Sequence, residues 1–376
     1  MNGVPVARIF GFEIRLHVSW LFIIAIITVT VARRLTDYQP DVNPALTWAI
    51  GLIGSLGFLL TVVAHELAHA LVARRDGAPG STLVVHFIGS PAPIDVIASS
   101  PRAEALAAVA GPLVSIALGA AMIGVAVAIQ VAAPNALGIA DVLVVIGALD
   151  LLLAGVSLVP AFPLDGARLV RAAAWARTGD ERSGTRIAGV VGKYAGRVAI
   201  VIGLALILVG ETLNGIMVGL VGWFLMASAR SVDRWLILDE LIQGMSVGEA
   251  MEKDLATVSP QLTLDTFAAG LLDGSVTPAL PVVHDDILVG IVGAAQVRGV
   301  AQRKWSSTRT EDVMVGKADM PTATPEDRLT DALERLRQSH LDGLAVLDGG
   351  RLRGVLTRRS IGILLHARAE ERGQAL

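Results

Sequence analysis

The sequence predicts a mainly α polytopic membrane protein, with about six transmembrane helices and a short β-hairpin among them, followed by a C-terminal α/β unit made of a repeated motif. Three observations predict this. The apolar residues, 53% of the 376, are gathered into long runs between Met1 and about Arg230, and the mean hydropathy is +0.63. Beyond that point the charge density is that of an ordinary soluble domain and the apolar stretches become short and alternating. Within this second region, two segments about 65 residues apart echo each other.

The first apolar run, Leu16 to Val31, follows Arg8 and Arg15 and is succeeded by Arg33 and Arg34 with no small-residue cleavage site, which marks a retained span and not a signal peptide. Five more runs follow: Leu46 to Val72, Ala103 to Val131, Asp141 to Val159, Ala195 to Gly210 and Leu213 to Ala229. Several reach the ~20 residues that cross a bilayer, and the last two, parted only by Glu211 and Thr212, read as a tight helical hairpin. Between spans two and three, Ser81 to Ser100 places β-branched runs on either side of Gly89-Ser90-Pro91, the pattern of a hairpin. It is too short to span, so its backbone must be satisfied by packing against helices.

Arg74, Arg75, Arg102, Arg168, Arg171, Arg177, Arg182, Lys193, Arg197, Arg230 and Arg234 all fall on one side of a six-span arrangement, which makes that side cytoplasmic. The N-terminus and the C-terminal repeats share it, and Arg33 and Arg34 are the exception. The division expected is 1–230 for the membrane part, 231–244 for a linker, 245–305 and 306–366 for the two repeats, and 367–376 for a tail.

A net charge of -3 with no long basic run argues against nucleic acid as a partner. The absence of cysteine removes disulfides and thiolate metal sites, leaving His, Asp and Glu as metal donors.

Such donors stand near the inner end of span two, in His65-Glu66-Leu67-Ala68-His69. Four residues of α-helix bring the histidines to within about 40° of each other around the axis, so both imidazoles can meet one metal while Glu66 reaches a water beside it. Zinc accepts this donor set and acidifies water, so Glu66 would take a proton already loosened. The same five residues on a soluble helix would be an ordinary polar face. Inside an apolar span charged and imidazole groups are costly, and that points to function.

A third protein ligand is required. The candidates are Asp76, His86, Asp95, Glu104, Asp150 and Asp165, with packing or surface roles the commoner fate of His86. Depth favours Asp165: span two runs inward and span four does the same, with Asp165 at its inner end after Pro160-Ala161-Phe162-Pro163-Leu164. The prolines stop a continuing helix and Gly166 relaxes the chain, so Asp165 can turn toward span two, or it can simply cap the next helix. Asp150, in mid-span four, lies seven residues before Ser157, about 20° away around a helix. Both could face one groove and position substrate backbone, or Asp150 could be a protonated packing residue.

At these motifs the chain resembles the site-2 protease family of intramembrane metalloproteases, in the microbial group with six spans followed by paired CBS domains. The resemblance covers nearly the whole chain. It implies one zinc ion per chain held by His65, His69 and Asp165, with Glu66 as the catalytic base. It also implies departures. Ser157 stands where the family carries Asn in an N-x-x-P pattern that assists the scissile carbonyl, and Ser115 stands for Asn in Gly111-Pro112-Leu113-Val114-Ser115. Asp165-Gly166-Ala167-Arg168 replaces D-G-G-R.

In the second region Ser246-Val247-Gly248-Glu249-Ala250-Met251 is echoed by Thr310-Glu311-Asp312-Val313-Met314, and Thr257-Val258-Ser259-Pro260 by Thr322-Ala323-Thr324-Pro325. Each copy continues into a helical segment and two strands, and the pair resembles two CBS motifs in one module. Such modules take adenosine nucleotides through a Thr or Ser and an Asp after the last strand. Here Gly293 and Gln296, then Thr357 and Ser360, occupy those places, so the carboxylate is missing twice. The expectation is a regulatory or homodimerising role, with an adenosine nucleotide doubtful.

Together these readings give an intramembrane zinc endopeptidase cutting the transmembrane segment of a single-span membrane protein. The alternative is a zinc-binding but catalytically silent scaffold or receptor regulated through its CBS pair; a transporter would have no use for a base beside a full ligand set.

Overall fold

The structure, a computed structural model, describes residues 3–38, 42–77, 82–86, 98–133, 137–253, 257–272, 279–284, 287–338 and 343–371. The chain divides into two compact units, Met1–Asp233 and Arg234–Leu376.

The first unit opens with β1 (Val4–Ile9) and β2 (Phe12–Leu16), followed by α1 (Ser19–Tyr38), α2 (Pro44–Arg75), β3 (Thr82–Val85), α3 (Pro101–Ala132), α4 (Leu137–Ser157), α5 (Asp165–Thr178), α6 (Glu181–Leu208) and α7 (Thr212–Ile242). Six of these helices, α1 to α4, α6 and α7, are long and apolar enough to cross a membrane. This is a helical multi-pass membrane protein, as the hydropathy runs foretold. The starts are fixed chemically: Asn43 accepts the Ala45 amide at the head of α2, Ser100 accepts the Ala103 amide at the head of α3, and each is followed by a proline whose missing N–H costs nothing there.

Strands β1 and β2 pair antiparallel, and β3 joins β2 in parallel, giving the order β1-β2-β3. The turn and second strand of the hairpin expected at Ser81 to Ser100 fall outside the described residues, and Asp95 with them. Residues 82–85 form one strand that pairs with the N-terminus. Phe12, Ile14 and Val85 of the sheet close over Trp20 and Ile23 of α1, Phe58, Leu59, Val62, Val63 and Leu67 of α2, and Ile146 of α4, forming the apolar core that carries the C-terminal half of α2.

The second unit contains α8 (Val247–Ala250), α9 (Leu264–Leu272), β4 (Ala279–His284), β5 (Ile287–Gly293), α10 (Ala294–Arg298) and β6 (Val315–Gly316), then β7 (Thr322–Ala323), α11 (Leu329–Gln338), β8 (Gly343–Asp348), β9 (Arg351–Thr357) and α12 (Arg358–Glu371). The repeat is visible in its sheets: β4 with β5 and β8 with β9 are antiparallel hairpins of matching register, Ala279 opposite Gly293 and Gly343 opposite Thr357. The copies interlock. Val247 and Ala250 of the first are buried with Leu329, Leu336, Leu344 and Leu356 of the second, and the Glu252 amide donates to the Val355 carbonyl at 2.9 Å.

Residues 231–242 of the expected linker are helical, continuing α7, and the division between the two units falls among them at Asp233 and Arg234.

Candidate metal centre

Helix α2 carries His65 and His69 on one face, both buried, with their rings edge to face and centroids 4.8 Å apart. Their Nε2 atoms lie 3.1 Å from each other. Asp165, the first residue of α5, brings Oδ2 to 3.2 Å from His69 Nε2 and 3.5 Å from His65 Nε2. Three donors at ~2.0–2.1 Å from a tetrahedral zinc would stand about 3.3 Å apart, so these edges fit one ion with a fourth position left over. Asp165 does not cap α5; the N-cap is Leu164, without a side-chain cap, and the carboxylate is turned to the imidazoles.

Backbone packing explains that turn. A Cβ on Gly166 would collide with the carbonyl oxygens of Leu158 and Val159, so only glycine lets the end of α4 press against the start of α5.

The far sides of the imidazoles are committed. His69 Nδ1–H donates to the Ala107 carbonyl at 2.7 Å, and since a carbonyl only accepts, the lone pair is left on Nε2. His65 Nδ1 meets Ser115 Oγ at 2.9 Å. Helix α3 thus backs both rings, and a Cβ on Gly111 would fall on the Nε2 atoms of His69 and His65. The space that an ion needs is the side chain Gly111 does not have. The donor chemistry, the spacing and this cradle all fit a zinc ion.

The other residues singled out in the sequence are placed as follows. Glu66 follows His65 on α2 and is half-buried. Ser115 is buried, and its Oγ lies 2.9 Å from His65 Nδ1. Ser157 Oγ donates back to the Ala154 carbonyl of its own helix at 3.0 Å and is buried. Asp150 is fully buried with neither carboxylate oxygen hydrogen-bonded; the Thr61 hydroxyl facing it donates to the Phe58 carbonyl at 2.7 Å. Helix α3 packs closely on α4 at Asp150, where a Cβ on Gly119 would come within 3.2 Å of the Asp150 Cβ.

Among the remaining ligand candidates, Asp76 caps the C-terminus of α2 and His86 stacks on His17 at 5.0 Å. Glu104 is fully buried, and its Oε1 accepts from Arg168 Nε at 2.9 Å and Arg171 Nη2 at 2.7 Å. Sequence reasoning missed this pairing, which ties the first turn of α3 to α5 beside Asp165. In the second unit, the groups at the nucleotide positions serve as helix caps: Gln296 Oε1 accepts from the Gly293 amide at 3.0 Å, while Thr357 and Ser360 exchange amide-to-hydroxyl bonds at 3.0 and 3.1 Å.

Fold and site define a class: a multi-pass membrane protein whose bundle presents a His-His-Asp donor set. Comparison with known proteins supplies the family. Rip3 of Mycobacterium tuberculosis, which bears a zinc metalloprotease name, is 31% identical over 366 residues, spanning 97% of this chain and 93% of that one. A zinc metalloprotease of Methanocaldococcus jannaschii is 28% identical over 361 residues, spanning 96% and 95%. Residues 247–301 and 311–362 match the CBS domain family. The chain belongs to the site-2 protease family of zinc metalloproteases, in the group with a CBS pair. Among solved structures, the CBS-pair protein CBSX2 from Arabidopsis thaliana is similar to 35% of this chain and 100% of its own, at 25% identity and a TM-score of 0.30.

Proposed function

We propose that this protein is an intramembrane zinc endopeptidase that hydrolyses a peptide bond within the transmembrane segment of a single-span membrane protein. The observation that carries the reading is the triangle of donors that His65 and His69, beside Glu66 in a helix apolar enough to cross a bilayer, make with Asp165 of α5. Bound zinc supplies polarisation of a carbonyl and lowers the pKa of water from 15.7 toward about 7. The Glu66 carboxylate removes the proton from the attacking water and then delivers it to the leaving amine. Ala107 and Ser115 keep the imidazole lone pairs aimed at the ion, and Asp165 adds the one negative charge among the ligands.

A helical substrate carbonyl is shielded by its own hydrogen bond, so the substrate must unwind near the site. The edge of β3, paired on one side by β2 among the described residues, offers backbone groups for strand addition to the unwound segment. In this reading the arginines of the inner ends face the cytoplasm, together with the N-terminus and the CBS pair, and the CBS pair regulates the enzyme or joins two copies of it.

A specific observation favours one second reading. Ser157 spends its hydroxyl on Ala154, so the position that resembles the family's carbonyl-assisting Asn offers nothing to a substrate, as in a silent zinc-holding scaffold. The deciding experiment compares wild type with Glu66→Gln on a single-span substrate in vesicles. Both proteins should hold one zinc per chain, and the variant should lose at least 10²-fold in cleavage, the usual worth of a general base. Full activity in the variant would remove Glu66 from the mechanism; zinc-loaded wild type without cleavage would establish the scaffold.

A further inference from the structure

Ile9 pairs with Phe12, so β1 and β2 are joined by a two-residue loop, Phe10-Gly11, with φ of 48° and 85°. Two positive φ values make a type I′ turn, which favours Asn, Asp or Gly at its first position. Phe10 is a costly choice there, since a bulky side chain in the left-handed region crowds its own backbone. Packing of the ring could compensate, yet Phe10 is 69% exposed. The two strands also divide their apolar residues oppositely: Phe12 and Ile14 of β2 are buried in the core, whereas Val4 and Val6 of β1 are 67% and 59% exposed.

The neighbourhood identifies what covers them. Strand β2 ends at Leu16, and α1, the first span, begins at Ser19. The exposed Val18, Leu21, Phe22 and Ile26 continue the apolar surface of the hairpin into the lipid-facing side of that span. Arg8 on β1 is exposed, placing a cation beside the apolar residues as segments lying in anionic headgroups do. The tip is also prepared for a dry setting. Arg74, at the inner end of α2, donates from Nη1 to the Phe10 carbonyl at 2.7 Å and stacks its guanidinium on Phe12 at 4.6 Å, so a turn carbonyl that water would ordinarily satisfy is satisfied by protein.

We propose that the β1–β2 hairpin is an interfacial anchor that lies along the headgroup–acyl boundary at the inner end of α1, with Phe10 inserted at its tip and Val6 and Val4 along the strand that leads back from it. The anchor is fixed to α2 through Arg74, five residues beyond His69, so the lipid surface holds the sheet against the helix that bears the imidazoles.

The chain has no cysteine, which makes the test direct. Phe10→Cys and Val6→Cys, with Ser306→Cys on the exposed surface of the second unit as reference, are labelled with a nitrobenzoxadiazole fluorophore. Each full-length protein is reconstituted in nanodiscs of phosphatidylcholine and phosphatidylglycerol at 3:1. Labels at 6 and 10 should be quenched by lipid carrying a nitroxide at acyl carbon 5 and shielded from iodide, and the label at 306 should behave oppositely. Labels at 6 and 10 that iodide reaches as readily as at 306 overturn the proposal. So do labels shielded from iodide but untouched by the nitroxide lipid; disulfide formation between two copies through Cys at 10 would then assign the surface to a second chain.

Discussion

At Gly111 the decisive feature is an atom that is not there. An added Cβ would occupy the space between His65 and His69 Nε2, where the ion fits. Alanine is the better helix former by roughly 1 kcal/mol, so Gly111→Ala should leave α3 intact and obstruct the metal. We expect at least tenfold weaker zinc binding and a matching loss of cleavage with an unchanged helical signal, read as metal content after dialysis against a fixed free zinc concentration. Undiminished zinc would show that Gly111 does not frame the site. His65 and His69 could be paired in the sequence because helical period acts locally, whereas Asp165, far along the chain, was singled out only by its expected depth and by the family resemblance. Gly111's role was not legible there, since it exists only once α3 lies against α2. The same holds for Glu104: read along the chain it was a spare carboxylate, and only the approach of α5 shows its charge already committed to Arg168 and Arg171.

Among the elements, the apolar runs identified every span but not every end. Helix α6 begins at Glu181, well before the expected Ala195, because Gly184, Ala188 and Gly192 make a face of small residues against α5 and the turn at Ala161 that hydropathy cannot register. Strands β1 and β2 went unread because they are short and their partners are set by the fold. The expected tight hairpin of the last two spans has a physical basis in small residues: Gly196 and Gly203 on α6 oppose Gly222 and Gly215 on α7 at the same seven-residue spacing. A Cβ at Gly203 would come within 2.6 Å of the Gly215 carbonyl oxygen, so the two backbones touch where lipid offers no hydrophobic drive for association. Gly203→Leu should force them apart, at a cost of about 1–3 kcal/mol typical of overpacking. The expected outcome is a lower thermal midpoint in detergent with zinc content preserved, since neither helix supplies a donor. An unchanged midpoint would mean that the seam contributes little.

For the whole molecule, the division at Asp233 and Arg234 separates two sets of buried residues, and every proposed zinc donor belongs to the first. An ion that binds only the folded state adds RT ln(1 + [L]/Kd) to the unit that binds it, about 4.1 kcal/mol when free zinc exceeds Kd a thousandfold. The donors come from α2 and α5, and α3 backs the imidazoles, so the ion cross-links helices far apart in the chain and its removal should loosen the bundle as a whole. The interlocked CBS repeats bury their own core in Leu329, Leu344 and Leu356 and should be indifferent to it. Scanning calorimetry of the detergent-solubilised protein should therefore give two transitions. A chelator should lower one of them by several degrees and leave the other in place, and the transition that moves should be the one that Asp165→Asn lowers without chelator. A chelator that displaced both transitions equally would show that the units unfold as one, and one that displaced neither would remove the metal from the account of the fold.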